Sequence, residues 1–195
     1  MKILVIIGTT RKNRFSEKPA RWIFEEAKKI NDFEVELVDL RDYPLPFYEE
    51  ALSPRAINDK YENEIVKKWA QKIGEADGYI IVSGEYNHSY PAVLKNALDY
   101  IYFEWNKKPV AFVSYGVMAG ARAVELLRLV ALELQMVPIH PVIHIPFSIM
   151  LEAREQNIEQ ESKLFESLNT QKETLLKELI WWVKTLKVAR ESKIS

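Results

Sequence analysis

Residues 84–99, Gly-Glu-Tyr-Asn-His-Ser-Tyr-Pro-Ala-Val-Leu-Lys-Asn-Ala-Leu-Asp, hold the densest run of chemistry-bearing side chains in the sequence. Glu85, Tyr86, Asn87 and His88 stand side by side in it. They follow Tyr79-Ile-Ile-Val-Ser83, which reads as a buried strand, and they lead into a helix. The carboxyl end of a strand is where open α/β sheets bind their ligands. No nucleophile–base pair and no metal-ligand set accompanies the turn. Such a turn suits a flat ligand held by backbone amides and an aromatic face.

A second loop, Gly8-Thr-Thr-Arg-Lys-Asn-Arg-Phe-Ser16, joins a strand to the amino terminus of a helix. The N–H groups and dipole of a helix start favour an anion, and Arg11 or Arg14 can add charge-assisted bonds. A phosphate fits that chemistry. A plainer reading stands beside it, in which Ser16 only caps the helix and the arginines are solvated. The loop carries neither Gly-x-Gly-x-x-Gly nor Gly-x-x-x-x-Gly-Lys-Ser/Thr, which disfavours dinucleotide and NTPase folds. Asp39, where a dinucleotide fold would grip ribose, is then a loop residue. His140 and His144 fall on one face of a strand about 13 Å apart at roughly 3.3 Å per residue, too far to share a metal. Both are expected to lie away from the pocket.

The elements that must position these loops alternate along the chain. Lys2 to Gly8 reads as a strand, and Ser16 opens a helix with Ala20, Ile23, Phe24, Ala27 and Ile30 at helical spacing. Phe33 to Leu40 is a second strand, and Asp42 to Asn58, with Pro44, Pro46 and Pro54, is a loop. Asp59 to Glu75 is a helix, Asp77 to Gly84 a strand, and Pro91 to Tyr102 a short helix. Pro109 to Tyr115 is a strand, Gly120 to Gln135 a helix and Val137 to Ile145 the fifth strand. A final helix is expected from about Ile158 to Arg190. This alternation predicts an α/β fold, a doubly wound five-stranded parallel sheet of the flavodoxin-like order 2-1-3-4-5. The 195 residues read as one domain, 1–195.

Composition removes whole classes of function. A net charge of -1 provides no field for nucleic acid or an anionic membrane, and Arg11, Lys12 and Arg14 are too few to make a nucleic-acid patch. The absence of cysteine excludes disulfides, thiolate catalysis and cysteine-held iron–sulfur clusters. No apolar run reaches membrane-spanning length, so the expected location is the cytoplasm. The helix after Gly120 is apolar nearly all round, which calls for burial on a second side. A partner subunit is the economical cover, and the final helix with Trp181 and Trp182 is the intramolecular alternative.

The two loops resemble those of the NADPH-dependent FMN reductase family of flavodoxin-like proteins, which includes azo and quinone reductases. The resemblance rests on Gly8-Thr-Thr-Arg11 with Ser16, on Gly84-Glu-Tyr-Asn87 through Pro91, and on Leu94-Lys-Asn-Ala-Leu-Asp99. A third piece runs from Lys108-Pro-Val-Ala-Phe-Val-Ser-Tyr-Gly116 through Gly120-Ala-Arg122. It covers roughly residues 1–145. It implies FMN, with Thr9, Arg11, Phe15 and Ser16 on the phosphate and Arg14 a weaker phosphate candidate. It places Glu85, Tyr86, Asn87 and His88 along the flavin ring, with Ser114, Tyr115 and Gly116 closing the other side. Asn96 and Asp99 sit inside a helix and serve structure. The sequence departs from the family at Gly84, where many members have proline or threonine and where glycine is expected to loosen the turn, and at Val117 and Met118, which are expected to narrow the ring pocket.

The implied activity is FMN-dependent oxidation of NADPH or NADH, with electrons passed to a small acceptor: a flavin, a quinone or an azo compound. No catalytic side chain and no metal are expected, because a flavin carries the chemistry itself. A homodimer or homotetramer is expected. The rival reading is a flavodoxin-type electron carrier, which the near-zero net charge disfavours. A flavin-free protein on the same fold is a third.

Overall fold

In the computed structural model, which describes residues 1–155 and 161–192, five parallel strands form one sheet. They are β1 (Lys2–Ile7), β2 (Glu34–Asp39), β3 (Gly78–Gly84), β4 (Pro109–Tyr115) and β5 (Val137–Ile145), in the order β2-β1-β3-β4-β5. The flavodoxin-like order expected from the alternation is the one found. Strands β3 and β4 are buried along their whole length, and β1 is buried beyond Lys2. Parallel strands covered on both faces must be apolar on both, hence their unbroken hydrophobic runs.

The helices are α1 (Glu17–Lys28), α2 (Pro54–Ile57), α3 (Glu64–Gly74), α4 (Ala92–Asp99), α5 (Ala121–Glu133), α6 (Phe147–Glu155), α7 (Glu161–Leu164) and α8 (Asn169–Glu191). Successive strand residues point to opposite faces, so two cores form. Leu4, Ile6, Ile81 and Phe112 pack with Trp69 of α3, Leu94 of α4 and Leu127 of α5. Ile3, Val5, Ile80 and Val113 pack with Ile23 of α1, Ala153 of α6, Leu164 of α7 and Leu179 and Val183 of α8.

Four expectations shift, the first being that the helix expected from Asp59 opens at Glu64, where Asn63 Oδ1 accepts the Ile65 N–H at 2.8 Å. The helix after Pro91 stops at Asp99, not Tyr102, because Tyr100, Ile101 and Tyr102 are all buried. A helix rotates about 100° per residue and on a surface cannot bury three in succession. The final helix starts at Asn169, after α7 and a 3₁₀ turn at Glu166–Leu168. Between them Phe165 is fully buried, stacked on Trp22 at 4.8 Å and edge-on to Phe15 at 6.4 Å. Residues 158–160 of the expected helix lie outside the described residues. The proline-containing loop holds one helical turn, α2, opened by Pro54 where a missing N–H costs nothing.

Helix α8 lies against β4 and β5 on the α1 side of the sheet. It therefore does not cover α5, whose Leu126, Leu129 and Leu132 stay exposed at 40%, 64% and 59%. Among the described residues no helix is long and apolar enough to cross a membrane.

Candidate functional site

Parallel strands end together, so the loops after β1, β3 and β4 meet at one edge of the sheet. The first, residues 8–16, is anchored where Gly8 N–H donates to Val82 O at 2.9 Å. A side chain at Gly8 would meet Leu94 Cδ2 at 2.9 Å and Val82 O at 3.0 Å, so the backbone can approach β3 only as glycine. Thr9 and Ser16 are buried, with their hydroxyl oxygens 2.5 Å apart.

Two arginines hold this loop from behind. Arg14, with a side-chain exposure of 0%, donates to the carbonyl of Thr9, pairs with both carboxylate oxygens of Asp39 and bonds Glu17 at 3.0 Å. Arg41 donates to Thr10 O at 3.2 Å and Arg11 O at 2.6 Å. Across a trans peptide the N–H points opposite to the preceding C=O. Tying back the carbonyls of Thr9, Thr10 and Arg11 thus turns the N–H groups of Thr10, Arg11 and Lys12 to the other side. Among the described residues no protein acceptor takes the backbone N–H of any residue from Thr10 to Ser16. The result is a concavity lined by free N–H donors, an arrangement that favours an anion. Burial alone would raise the Asp39 carboxyl; the Arg14 guanidinium and the Arg41 amide outweigh it and hold it below the usual carboxylate range.

The second loop is a tight hairpin. Tyr86 and Ser89 exchange backbone bonds of 2.7 and 3.0 Å around Asn87 and His88, whose φ angles are 48° and 68°. Two successive left-handed residues match the twist of a hairpin turn, and asparagine tolerates them best. Asn87 and His88 are exposed at the tip. The Arg11 guanidinium lies 5.6 Å from the centre of the Tyr86 ring, which joins the first loop to the second. The Tyr86 hydroxyl is buried with no protein partner.

The third loop turns through Gly116, Ala119 and Gly120 at φ 150°, 52° and 76°, leaving Val117 and Met118 exposed. Arg122, at the start of α5, bonds Glu85 Oε1 at 2.6 Å and His88 Nε2 at 2.7 Å, locking the third loop to the second. Tyr115 closes the circuit. Its ring crosses the end of β3 over Gly84 and meets Phe15 edge-on at 4.9 Å. Burial pushes the Tyr115 phenol up, opposed by the neighbouring Ser16 hydroxyl.

The motifs and this geometry coincide with a family match spanning residues 1–148. The chain belongs to the NADPH-dependent FMN reductase family. The reductase is 42% identical over 147 residues to an NAD(P)H-dependent FMN reductase of Schizosaccharomyces pombe, covering 74% of each chain. It is 32% identical over 132 residues to a 2-hydroxy-1,4-benzoquinone reductase of a Burkholderia species, covering 64% of this chain and 65% of that one. A solved structure of FerB, a flavoenzyme NAD(P)H:(acceptor) oxidoreductase from Paracoccus denitrificans, shares the fold. It covers 94% of this chain and 97% of that one at a TM-score of 0.71 and 21% identity.

Within the reductase, Thr9, Arg11, Phe15, Ser16, Tyr86 and Tyr115 converge where the three loops meet. The Glu85 carboxylate is taken up by Arg122, while Asn87 and His88 form the outer rim. Gly116 turns the third loop toward Glu85, whose Cβ is 3.0 Å from where a Gly116 side chain would begin. Ser114 points to the opposite sheet face and bonds Ala119 O at 2.9 Å. Three expectations need correction. Arg14 is not turned toward the free amides; it is spent on Asp39, Glu17 and Thr9. His144 is not remote from the site, since its Nδ1 lies 2.9 Å from Ser114 Oγ and 3.2 Å from Ala119 O. Asp39, expected as a loop residue, instead ends β2 and pairs with Arg14, while Arg41 and Arg122 are supporting residues that sequence reasoning passed over. Arg122 stood inside the third motif without a role, and nothing local to Arg41 marked it. Among the described residues no group of three or more His, Asp or Glu side chains is placed to hold a metal.

Proposed function

We propose that the three loops hold FMN and that the reductase passes electrons from NADPH or NADH to a free flavin, a quinone or an azo compound. The observation that carries this reading is the row of N–H groups from Thr10 to Ser16 without protein acceptors, with Arg11 beside them. Such a row suits one terminal phosphate. The buried, unpartnered Tyr86 hydroxyl supports it, since buried polar atoms normally find a partner and a ligand would provide one. Thr9, Arg11, Phe15 and Ser16 would hold the phosphate. Tyr86, Asn87 and His88 would lie along the ring, with Glu85 contributing backbone. Tyr115 and Gly116 would close the other side, with Ser114 holding the third loop from behind through Ala119 O rather than facing the ring. When bound, FMN supplies the hydride and electron transfer that no side chain here provides. The protein binds and orients it, and Tyr115 with Phe15 keeps water from the site's inner wall.

Anaerobic mixing of the loaded protein with NADPH and then NADH is expected to bleach the flavin, and the released cofactor should have the mass of FMN. Bleaching by dithionite but by neither nucleotide would overturn the reductase reading in favour of an electron carrier.

We further propose a homodimer or homotetramer with α5 in its interface. Leu126, Leu129 and Leu132 form an exposed apolar stripe that no other element among the described residues covers, and such stripes are poorly tolerated in free monomers. Sedimentation at micromolar concentration should give a multiple of 22.8 kDa, and Leu129→Glu should shift it toward monomer. A wild-type monomer would refute the interface.

A further inference from the structure

We infer that His144, on the edge strand β5, is a positioning residue that fixes the third loop for cofactor binding. This rests on the FMN reading above.

The third loop is tied to the second by Arg122 and to itself by the 2.9 Å bond from Ala119 N–H to Gly116 O, which leaves the Ala119 carbonyl to be fixed from the other side. Ala119 stands at φ 52° and Gly120 at φ 76°, a region that costs any residue with a Cβ. Gly120 occupies the N-cap of α5, which has no side-chain cap. The Ala119 carbonyl is gripped by Ser114 Oγ of β4 at 2.9 Å and by His144 Nδ1 of β5 at 3.2 Å. Ser114 and His144 are register partners on neighbouring strands, which brings Nδ1 to 2.9 Å from Ser114 Oγ.

One proton arrangement satisfies all three contacts. The single Ser114 hydroxyl proton goes to Ala119 O, so Ser114 Oγ must accept from His144. Nδ1 therefore carries a proton and also faces Ala119 O. Holding that carbonyl toward β5 turns the N–H of Gly120 the other way. On that side lies Gly116, with Gly120 N 3.6 Å from the place of a Gly116 Cβ. His144 thus aims a backbone donor at the mouth of the third loop without touching the ligand itself. Its side chain is exposed, so replacing it removes little packing.

The test compares His144→Phe, His144→Asn and Arg11→Ala in the full-length protein. FMN dissociation constants are read from flavin fluorescence, alongside the flavin midpoint potential and the Tm of each protein without FMN. Losing one hydrogen bond corresponds to roughly three- to tenfold in affinity. His144→Phe is expected to weaken FMN by about that factor and shift the potential, with Tm nearly unchanged. His144→Asn, whose amide N–H stands near the Nδ1 position, is expected to restore both. In the wild type, ¹⁵N NMR should show the His144 proton on Nδ1. Unchanged affinity and potential in His144→Phe while Arg11→Ala weakens FMN would overturn the inference alone, as would a proton found on Nε2. A wild-type protein that does not bind FMN would instead sink the functional reading, and this inference with it.

Discussion

Replacing Asp39 with alanine is expected to destabilise the fold by up to about 3–5 kcal/mol, the penalty for removing one partner of a fully buried ion pair, lessened because the Asp39 side chain is 25% exposed. The Arg14 side chain is fully buried, and Asp39 answers it with both carboxylate oxygens. Without Asp39, the guanidinium keeps only the half-exposed Glu17 and the Thr9 carbonyl. Arg41 would also lose the 2.9 Å bond between its N–H and Asp39 Oδ1, and it is Arg41 that holds the carbonyls of Thr10 and Arg11. FMN affinity should therefore fall along with stability. Urea unfolding at pH 7 measures the first effect and flavin titration the second. Arg14→Met combined with Asp39→Leu should recover much of the stability, because an apolar pair of similar volume carries no desolvation penalty. The loop's carbonyl anchor would still be missing, so FMN affinity should not return.

The same pair makes a pH prediction. The Asp39 carboxyl lies below its ordinary value in the folded protein. A depressed carboxylate pKa contributes stability that is present above the unfolded value near 4 and lost as pH falls through the folded one. Wild-type stability should therefore decline below about pH 4 more steeply than that of Asp39→Ala. Parallel slopes would mean that Asp39 is not paired as described.

Gly84→Ala is the second large effect expected, although alanine is ordinarily as acceptable as glycine in a strand. A Cβ at position 84 would stand 2.9 Å from Cε2, Cζ and the hydroxyl of Tyr115. That ring is 4% exposed and pinned edge-on by Phe15, so it has nowhere to retreat. Overpacking of this kind costs about 1–3 kcal/mol. The displaced ring would also disturb Ser16, so FMN binding should weaken. A double-mutant cycle isolates the contact: in a Tyr115→Ala background, Gly84→Ala should be nearly harmless, leaving a coupling of at least about 1 kcal/mol. Additive effects would show that glycine is present here for another reason. On this account, the departure from the proline or threonine of many family members does not loosen the turn. It makes room for Tyr115.

Much of this was legible in the residues. A strand buried on both faces must be apolar throughout, and Tyr79 to Ser83 and Pro109 to Tyr115 show it locally. Alternation of strands with helices then leaves few topologies, and the order β2-β1-β3-β4-β5 follows. That topology carries Gly8–Ser16, Glu85–Pro91 and the turn after Tyr115 to one edge, so the region of the site was also within reach. These signals are short-range: periodicity and strand–turn–helix order are written within a few residues of where they act.

The pairings inside the site are of another kind. Arg14 meets Asp39 across 25 positions, His144 meets Ser114 across 30, and Glu85 meets Arg122 across 37. Strand register, together with the face to which each side chain points, decides which residue meets which. Tyr115 and Ser114 are neighbours in the chain, yet one crosses Gly84 toward the first loop and the other turns to the opposite face and His144. The break at Phe165 was hidden for the same reason, because a helix-compatible stretch gives way there to a ring buried against Trp22. Residue type told which chemistry this protein has available. The tertiary structure alone decided which charges are spent on holding the loops and which N–H groups are left to face a ligand, because a hydrogen bond depends on distance and direction, and sequence spacing carries neither across a sheet.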